Sequence, residues 1–419
     1  MGLDLSSTVV GALQCQRDSY LKSFETSVVS CKEVINKDKS IQYEVELHDT
    51  ILFPEGGGQP SDSGFITDLA KNSRLEVFHI KRDKLKAIHL TQEPLEVGSK
   101  VNLDLNWAKR FDYMQQHTGQ HLLSAILDKY DLKTLSWSMG DSLNYIEIPR
   151  KISDEEVERI QEEVTEQIIN NVSISVTIPH QDDVNTSKIP EDYDINQGIL
   201  RVIKIGDLDN NPCCGTHLSS TGQVASIVLL HQLSGRGGAS RLYFVAGSRV
   251  VKYLAKIHKI AKANSSELSC QIDEISDKIE ALNVNYRKAL KRETLLKENL
   301  SNFEAQQIES DLKEKDVAYF YKSNSGLDYL SLILKTISKK IPDGKVLILL
   351  SSDDTNSGSI IIQSSNFSRT QEISNKLKEL ITNLKGGGKN KWQGKISKFE
   401  KGEIDQVLKY LEALQSNLI

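Results

Sequence analysis

The chain has 419 residues, of which 38% are hydrophobic and 26% are charged, and its formal net charge is -5. This length suits two to four domains with a hydrophobic core each, whereas the negative charge excludes a strong overall attraction to nucleic acid, so any RNA contact must rely on local basic patches. No run of about 18 apolar residues occurs, and the five cysteines form no regularly spaced framework. The composition therefore predicts a cytoplasmic globular protein in a reducing compartment, with no membrane span.

The succession of strands and helices predicts a multidomain protein of the mixed α+β or α/β class. A β-rich, barrel-like domain is expected over residues 1–95. Alternating apolar residues between polar and glycine-containing turns predict strands at 26–35, 41–49, 75–82 and 86–91. Among them, ILFPEGGGQPSDSGFI, residues 51–66, has three successive glycines and two prolines, which exclude a regular element. No Gly-Lys-Ser/Thr follows, so a phosphate-binding P-loop is excluded. Two interpretations stay open: a tight hairpin-like bend, or a loop whose backbone approaches a ligand closely.

A mixed α/β domain with an antiparallel sheet is expected over residues 96–247. Apolar residues follow helical spacing through 105–130, and a hairpin-like alternation follows at 134–148. Ser153 and Glu156 make a capping box, which predicts a helix directly after them. Further strands are predicted at 173–178, 199–205, 225–232 and 240–247.

A coiled coil is predicted within residues 248–315, which are charged, periodic and nearly free of glycine and proline. Spacings of four and three residues alternate along one stripe, with a charged interruption at Glu293. The stripe consists of Leu268, Ile272, Ile275, Ile279, Leu282, Tyr286, Ala289, Glu293, Leu296, Leu300 and Phe303. A helical hairpin or dimer stalk is one interpretation, and a helix packed on a neighbouring domain is the other.

A small α/β domain is expected over residues 316–419. Two paired strands at 345–354 and 357–365 precede a helix over 370–384, which is expected to end at Gly386. The loop predicted after it concentrates Lys385, Lys389, Lys391, Lys395 and Lys398 around Trp392. This pattern is typical of a basic patch with an aromatic plate for a nucleic-acid backbone, and equally of a solvated basic loop.

Two short motifs together predict a metal site. HTGQHLL, residues 117–123, places His117 and His121 on one helix face, and NPCCGTHLSSTG, residues 211–222, offers Cys213 and His217 at the same spacing. Three imidazoles and a thiolate match the tetrahedral preference of zinc. The helix lacks the glutamate of H-E-x-x-H, which argues against a protease with its base there. Either a structural zinc or zinc-assisted hydrolysis of a labile bond remains open.

These motifs resemble a known family. HTGQHLLSAIL and CCGTHLSSTG look like the two metal-binding motifs of the alanyl-tRNA synthetase editing domain, and FPEGGGQPSDSG is similar to the glycine-rich motif of that domain and of its free-standing AlaX relatives. The similarity spans the chain and is closest to the long eukaryotic type, and no aminoacylation core can be fitted ahead of residue 51. The resemblance implies a stand-alone deacylase that hydrolyses Ser-tRNA(Ala), with Gly-tRNA(Ala) as a further candidate substrate. An alanine pocket rejects serine and glycine by only about 1 to 3 kcal/mol, so a second, hydrolytic sieve is needed.

The resemblance also implies roles for single residues. Zinc would be bound by His117, His121, Cys213 and His217. Gln59, together with Gly57 and Gly58, would shape the pocket and position the substrate. Thr118 and the hydroxyls near Ser136 and Ser138 are weaker candidates for contacting the serine side chain. Cys214 stands where the family commonly has glycine, which raises the question of which thiol is the ligand. Cys213 is preferred, because its spacing to His217 matches the family.

Two other functions remain in competition. One is a non-enzymatic tRNA-binding protein with a structural zinc, in which the coiled coil and Lys389, Lys391, Trp392 and Lys395 contact RNA. The other is editing of Ser-tRNA(Thr), because the threonyl-tRNA synthetase editing domain shares the paired metal motifs. A homodimer through the coiled coil or the C-terminal domain is also expected.

Overall fold

The structure, a computed structural model, describes residues 6–178, 199 and 201–416. The chain divides into two compact units, Met1–Ala263 and Asn264–Ile419. Both combine helices with mainly antiparallel sheets, so the mixed α+β class predicted from the sequence is confirmed. Within these described residues, no helix is both long enough and apolar enough to cross a membrane.

A seven-stranded antiparallel sheet, curved into a half-barrel, opens the first unit. After a short helix, α1 (Gln14–Arg17), its strands are β1 (Ser23–Ile35), β2 (Ile41–Leu47), β3 (Gly64–Asp68), β4 (Ser73–Val77), β5 (His79–Asp83), β6 (Lys86–Thr91) and β7 (Lys100–Leu105). They are ordered β4-β3-β7-β1-β2-β6-β5. Because β7 pairs with β1 and β3, this sheet extends beyond residue 95, where the sequence predicted a domain boundary.

The first residues of the glycine-rich segment lie in the hydrophobic core of this sheet. Ile51, Leu52 and Phe53 are at most 1% exposed and belong to the same hydrophobic cluster as the strands. Further on, Gly57 and Gly58 have φ values of 60° and 81°, a region that side chains with a Cβ disfavour. The burial fixes the start of the segment, and the glycines let its backbone turn sharply.

The rest of the first unit packs helices on two small antiparallel sheets around a second core. It contains α2 (Trp107–Asp128), β8 (Ser136–Met139), β9 (Asn144–Ile148), α3 (Asp154–Ile169), β10 (Ile174–Thr177), β11 (Val202–Ile205), β12 (Asp209–Pro212), β13 (Ile227–Ser234) and β14 (Ser240–Ala246). The sheets run β13-β14-β9-β8 and β10-β11-β12. The predicted capping box of α3 is confirmed, since Ser153 and Glu156 bond each other's backbone.

Two long helices follow, α4 (Ser248–Leu268) and α5 (Ile275–Glu314). The predicted coiled-coil stripe crosses the break between them, where Ser269 has a φ of 52°. Along α5 the stripe beyond Ile275 is exposed, from 42% at Leu300 to 70% at Phe303. The apolar stripe is therefore a real surface feature, and coiled-coil pairing stays a prediction.

The second unit ends in a five-stranded sheet flanked by helices. Its elements are β15 (Val317–Lys322), α6 (Leu327–Ile337), β16 (Val346–Ser352), β17 (Gly358–Ser364), α7 (Phe367–Leu380), β18 (Leu384–Gly388), β19 (Lys391–Ile396) and α8 (Glu403–Gln415). The order is β15-β16-β17-β19-β18, with β15 and β16 parallel and the other pairs antiparallel. The parallel pair is joined through α6, as a parallel connection requires.

The lysine-rich segment differs from its prediction as a loop. The preceding helix ends at Leu380 rather than Gly386, and the glycines form the β18–β19 hairpin. Trp392 is only 3% exposed and packs in the core of this unit, so its ring offers no plate to a nucleic acid. The lysines alternate with it along β19, so Lys391 and Lys395 face solvent.

Candidate metal centre

Helix α2 presents the first two candidate ligands. Asn106 caps its N-terminus by accepting a hydrogen bond from the Lys109 amide. His117 and His121, one turn apart, have ring centroids 5.3 Å apart and exposed fractions of 1% and 8%. Histidines that are buried this deeply need polar partners, so they are not part of a solvated helix face.

The loop after β12 supplies the other two candidate ligands, Cys213 and His217. Buried Arg201 holds this loop, donating to the Gly215 carbonyl at 3.0 Å, while the Cys213 amide donates to the Arg201 carbonyl at 3.0 Å. Gly215 is required here, because a Cβ would lie 2.3 Å from the His117 ring. The close approach of loop and helix therefore depends on a glycine in CCGTH.

All four predicted ligand atoms come together. The ligand atoms of His117, His121, Cys213 and His217 lie within 4.8 Å of one another. The Cys213 Sγ is 3.4 Å from His117 Nε2 and 3.3 Å from His217 Nε2. Tetrahedral zinc with ordinary bond lengths spaces its donors by about 3.3 to 3.6 Å. The residues present therefore fit a zinc ion in chemistry, and the two distances from Cys213 Sγ match the donor spacing of zinc.

Each histidine has an outer hydrogen bond at its second ring nitrogen. His117 Nδ1 lies 2.9 Å from Gln59 Oε1, and His121 Nδ1 lies 2.9 Å from Asp209 Oδ2. The Nδ1 atom of His217 lies 3.4 Å from the hydroxyl of Thr118. When Nδ1–H donates to these oxygens, the lone pair of each Nε2 points into the cluster. The outer partners thus select the tautomer that binds metal.

Electrostatics also favour a metal-binding thiolate. Burial raises the pKa of the Cys213 thiol, but the three neighbouring histidines outweigh burial and hold this pKa well below its usual range. Burial lowers the pKa of His217 to about 3, so its imidazole is neutral and its Nε2 is available to a metal. For His121, Cys213 and Asp209 overcome burial and raise the pKa to about 10. Metal binding must therefore displace a proton at this position.

The two adjacent thiols are different. Only the Cys213 Sγ belongs to the cluster of ligand atoms. Burial and the neighbouring Cys213 raise the pKa of Cys214 to about 11, which disfavours a thiolate there. A Cβ at Gly57 would lie 3.5 Å from the Cys214 Sγ, so this thiol faces the glycine-rich segment. The geometry favours Cys213 as the ligand.

Gln59 and Thr118 contact the candidate ligands rather than an open pocket. The Gln59 side chain is 1% exposed, donates to Thr216 Oγ1 at 2.8 Å and accepts from the Thr216 amide at 3.0 Å. Thr118 is fully buried, and its hydroxyl accepts from the Leu218 amide at 3.1 Å besides its contact with His217. Both residues therefore hold imidazoles of the candidate ligands in place, a role that the resemblance had not suggested.

Trp137 covers the cluster, a role that the sequence did not indicate. Its ring stacks on His117 with centroids 5.0 Å apart and an interplanar angle of 29°. A Cβ at Gly58 would come within 2.7 Å of the indole, so the glycine-rich segment lies directly against this ring. Gly58 and Trp137 together form one wall beside the metal centre.

Ser138 lies away from the cluster. Successive residues of β8 point to opposite faces, and Trp137 occupies the face toward His117. Ser138 pairs with Tyr145, whose ring contacts Tyr243 on the other face of the sheet. The structure does not bring this predicted hydroxyl to the site.

This fold and this centre define a mixed α+β protein whose candidate metal centre, three imidazoles and a thiolate, lies beside a glycine-rich segment. A family model described as the threonyl and alanyl tRNA synthetase second additional domain matches residues 200–243. The alaX protein of Saccharomyces cerevisiae is 41% identical over 98% of this chain and 98% of its own length. The alanyl-tRNA editing protein Aarsd1 of Mus musculus is 31% identical over 95% and 97%, and AlaX-L of Pyrococcus horikoshii is 34% identical over 58% and 59%. The chain belongs to the alanyl-tRNA editing protein family, which confirms the resemblance of its motifs.

Proposed function

We propose that this protein is a zinc-dependent aminoacyl-tRNA deacylase that hydrolyses the ester bond of Ser-tRNA(Ala), and of Gly-tRNA(Ala) as a second substrate. The observation that carries this proposal is the convergence of His117, His121, Cys213 and His217 in a chain of the alanyl-tRNA editing family. The products would be free amino acid and tRNA. The protein would thereby remove errors that a synthetase pocket for alanine admits.

The side chains around the centre have definable tasks in this reaction. Bound zinc would supply Lewis acidity and a fixed positive charge for the substrate end. Gln59, Asp209 and Thr118 keep the three imidazoles oriented, so the centre needs little rearrangement when substrate arrives. The Trp137 ring shields His117 on one side and limits the space open to an amino acid and to water.

The test is a deacylation assay with matched cysteine variants. Wild type is expected to release serine from Ser-tRNA(Ala), to act more slowly on Gly-tRNA(Ala) and to leave Ala-tRNA(Ala) intact. Cys213→Ala removes a donor from the centre, so it should lose zinc and activity together. Cys270→Ala is the control, because this free thiol lies in the second unit, outside the cluster. Full activity in Cys213→Ala would remove zinc from the proposal.

Two further arms of this assay address the alternatives. The matching family model covers threonyl as well as alanyl synthetase domains, so Ser-tRNA(Thr) is compared with Ser-tRNA(Ala). Faster release from Ser-tRNA(Thr) would reassign the substrate. Binding of tRNA without turnover of any of these substrates would favour a non-enzymatic tRNA-binding protein with a structural zinc.

We also propose that the lysine face of the β18–β19 hairpin contacts tRNA phosphates. Lys389, Lys391 and Lys395 are exposed there, and Lys385 lies directly opposite Lys395 across the two strands. Four ammonium groups on one small hairpin make a local basic patch in a chain whose net charge is -5. Trp392 supports this surface from the core instead of stacking on bases.

A homodimer through the exposed stripe of α5 is the remaining proposal on partners. Leu296 and Phe303 are 67% and 70% exposed at heptad-like positions of one helix, so burying them in a second copy would be favourable. Sedimentation equilibrium of wild type and of Leu296→Glu tests this. A wild type that stays monomeric at high micromolar concentration would contradict it.

A further inference from the structure

Asp62 and Arg110 form an ion pair in which neither side chain has exposed surface. Arg110 Nε donates to both carboxylate oxygens at 3.1 and 3.0 Å, and its Nη2 also reaches the carboxylate. The remaining donors contact the Ile51 carbonyl at 2.6 Å and the Ser19 carbonyl at 2.9 Å. The guanidinium therefore ties both ends of the glycine-rich segment, at Ile51 and Asp62, and the chain at Ser19 to helix α2.

This ion pair is close to the metal centre along both segments. Arg110 precedes His117 by seven residues, nearly two full helical turns, so both side chains lie on one face of α2. Asp62 follows Gln59 by three residues in the glycine-rich segment. The Asp62 amide donates to the Phe53 carbonyl at 3.0 Å, and its carboxylate accepts from the Phe53 amide at 2.6 Å, which closes the loop between them.

The helix and the segment thus meet at two points, Asp62 with Arg110 and Gln59 with His117. We propose that the buried ion pair is a positioning element of the metal centre: it fixes the register of the glycine-rich segment on α2 and so keeps Gln59 Oε1 against His117 Nδ1. Only its expected effect on hydrolysis rests on the proposed function. Its effect on metal binding stands on the geometry alone.

The chemistry of the pair suits positioning better than stabilisation. Burying two charges costs desolvation energy that their attraction only partly recovers, and apolar replacements of such pairs are often neutral or stabilising. A guanidinium and a carboxylate nevertheless have fixed hydrogen-bond directions, which apolar side chains lack. The Gln59–His117 contact of 2.9 Å needs such precision, because a shift of about 1 Å would break it.

The experiment separates register from stability. Asp62→Leu and Arg110→Met each leave one buried charge without a partner and should lower the melting temperature. The double variant removes both charges and should recover part of the lost melting temperature. It should stay below wild type, because the Ile51 and Ser19 carbonyls and the Phe53 amide lose their side-chain partners. It should nevertheless bind zinc about tenfold more weakly, because His117 has lost its oriented partner. Zinc affinity is measured by competition with a chromophoric chelator, and the His117 tautomer by long-range 15N NMR.

A second ion pair on the same helix provides the matched control. Arg249 donates to both carboxylate oxygens of Asp112 at 2.7 to 3.0 Å, but Asp112 precedes His117 by five residues and points to a different side of α2. The double variant Asp112→Leu with Arg249→Met should change stability and leave zinc affinity unchanged. In the Asp62–Arg110 double variant, kcat on Ser-tRNA(Ala) should fall about tenfold, with KM changed less than about twofold.

The results decide whether the Asp62–Arg110 pair positions the metal centre or only stabilises the fold. If the Asp62–Arg110 double variant recovers part of its stability and binds zinc with wild-type affinity, the pair is only structural and the proposal is wrong. If that variant does not fold, Arg110→Lys takes its place, because lysine keeps the positive charge but lacks the planar set of N–H donors. Arg110→Lys should still bind zinc more weakly than wild type. Unchanged zinc affinity in this variant would overturn the proposal. A wild type that binds zinc but hydrolyses no aminoacyl-tRNA would refute the proposed function. The positioning role of the ion pair would then still be tested by zinc affinity and by the His117 tautomer.

Discussion

Asp209→Ala tests whether the outer hydrogen bonds prepare the centre for metal. The Asp209 carboxylate lies 2.9 Å from His121 Nδ1, and its side chain is 4% exposed, so water does not easily replace it. Losing such an outer partner typically weakens metal affinity by about 10 to 100-fold, or about 1.4 to 2.8 kcal/mol. We therefore expect the zinc dissociation constant of Asp209→Ala to rise within this range at neutral pH.

The control for this variant is Asp207→Ala, two residues earlier. The Asp207 side chain is fully exposed and, within the described part of the chain, pairs with Lys204 alone at 3.9 Å, so its removal should not change zinc affinity. Asp209→Asn is informative as well, because its amide oxygen can accept the hydrogen bond but carries no charge, and its affinity should be intermediate. Competition against a chromophoric chelator measures all four proteins. Equal zinc affinity in wild type and Asp209→Ala would refute the argument that outer partners orient the ligands.

Three other consequences can be checked separately. Gly58→Ala should reduce deacylation at least about tenfold, because its Cβ would lie 2.7 Å from the Trp137 indole beside the centre. The control is Gly98→Ala, at a position with a φ of 85° and open space around it. This control should lose only about 1 kcal/mol of stability. Burial lowers the pKa of His89 to about 4, below its usual 6.5 in the unfolded chain. The unfolded state therefore binds the extra proton, and stability should fall by up to about 3 kcal/mol as pH drops from 6.5 to 4. Urea unfolding of His89→Gln should show a smaller loss over this range, and an identical loss would contradict a neutral buried imidazole. Lys391→Ala with Lys395→Ala should weaken tRNA binding and reduce its salt dependence, measured by filter binding at several salt concentrations, and an unchanged salt slope would exclude phosphate contacts there.

The elements that local patterns determine could be predicted from the sequence. Helical spacing placed the histidine pair on α2, and the capping box of Ser153 and Glu156 marked the start of α3. The four ligand candidates could be named because His-x3-His and Cys-x3-His fix two donors each within a single turn or loop. These signals depend on residues close together in the chain.

The features that were missed depend on distant contacts or on glycine. The sequence around Trp137 does not indicate that its ring stacks on His117. The partners of Asp209 and Asp62 are likewise distant in the sequence, so neither carboxylate could be assigned a role before the fold was known. The β18–β19 hairpin is not evident from the sequence, because its glycines hide the alternation that buries Trp392. The helix break is not evident either, because the spacing of the apolar stripe continues past Ser269.

The central claim is that the four-ligand centre carries the hydrolysis of mischarged tRNA. The most direct measurement determines zinc content and serine release from Ser-tRNA(Ala) on the same preparations of wild type, Cys213→Ala and Cys214→Ala. Wild type and Cys214→Ala should contain about one zinc per chain and be fully active, whereas Cys213→Ala should lose both zinc and activity. A Cys213→Ala protein that lacks zinc and still releases serine at the wild-type rate would contradict it.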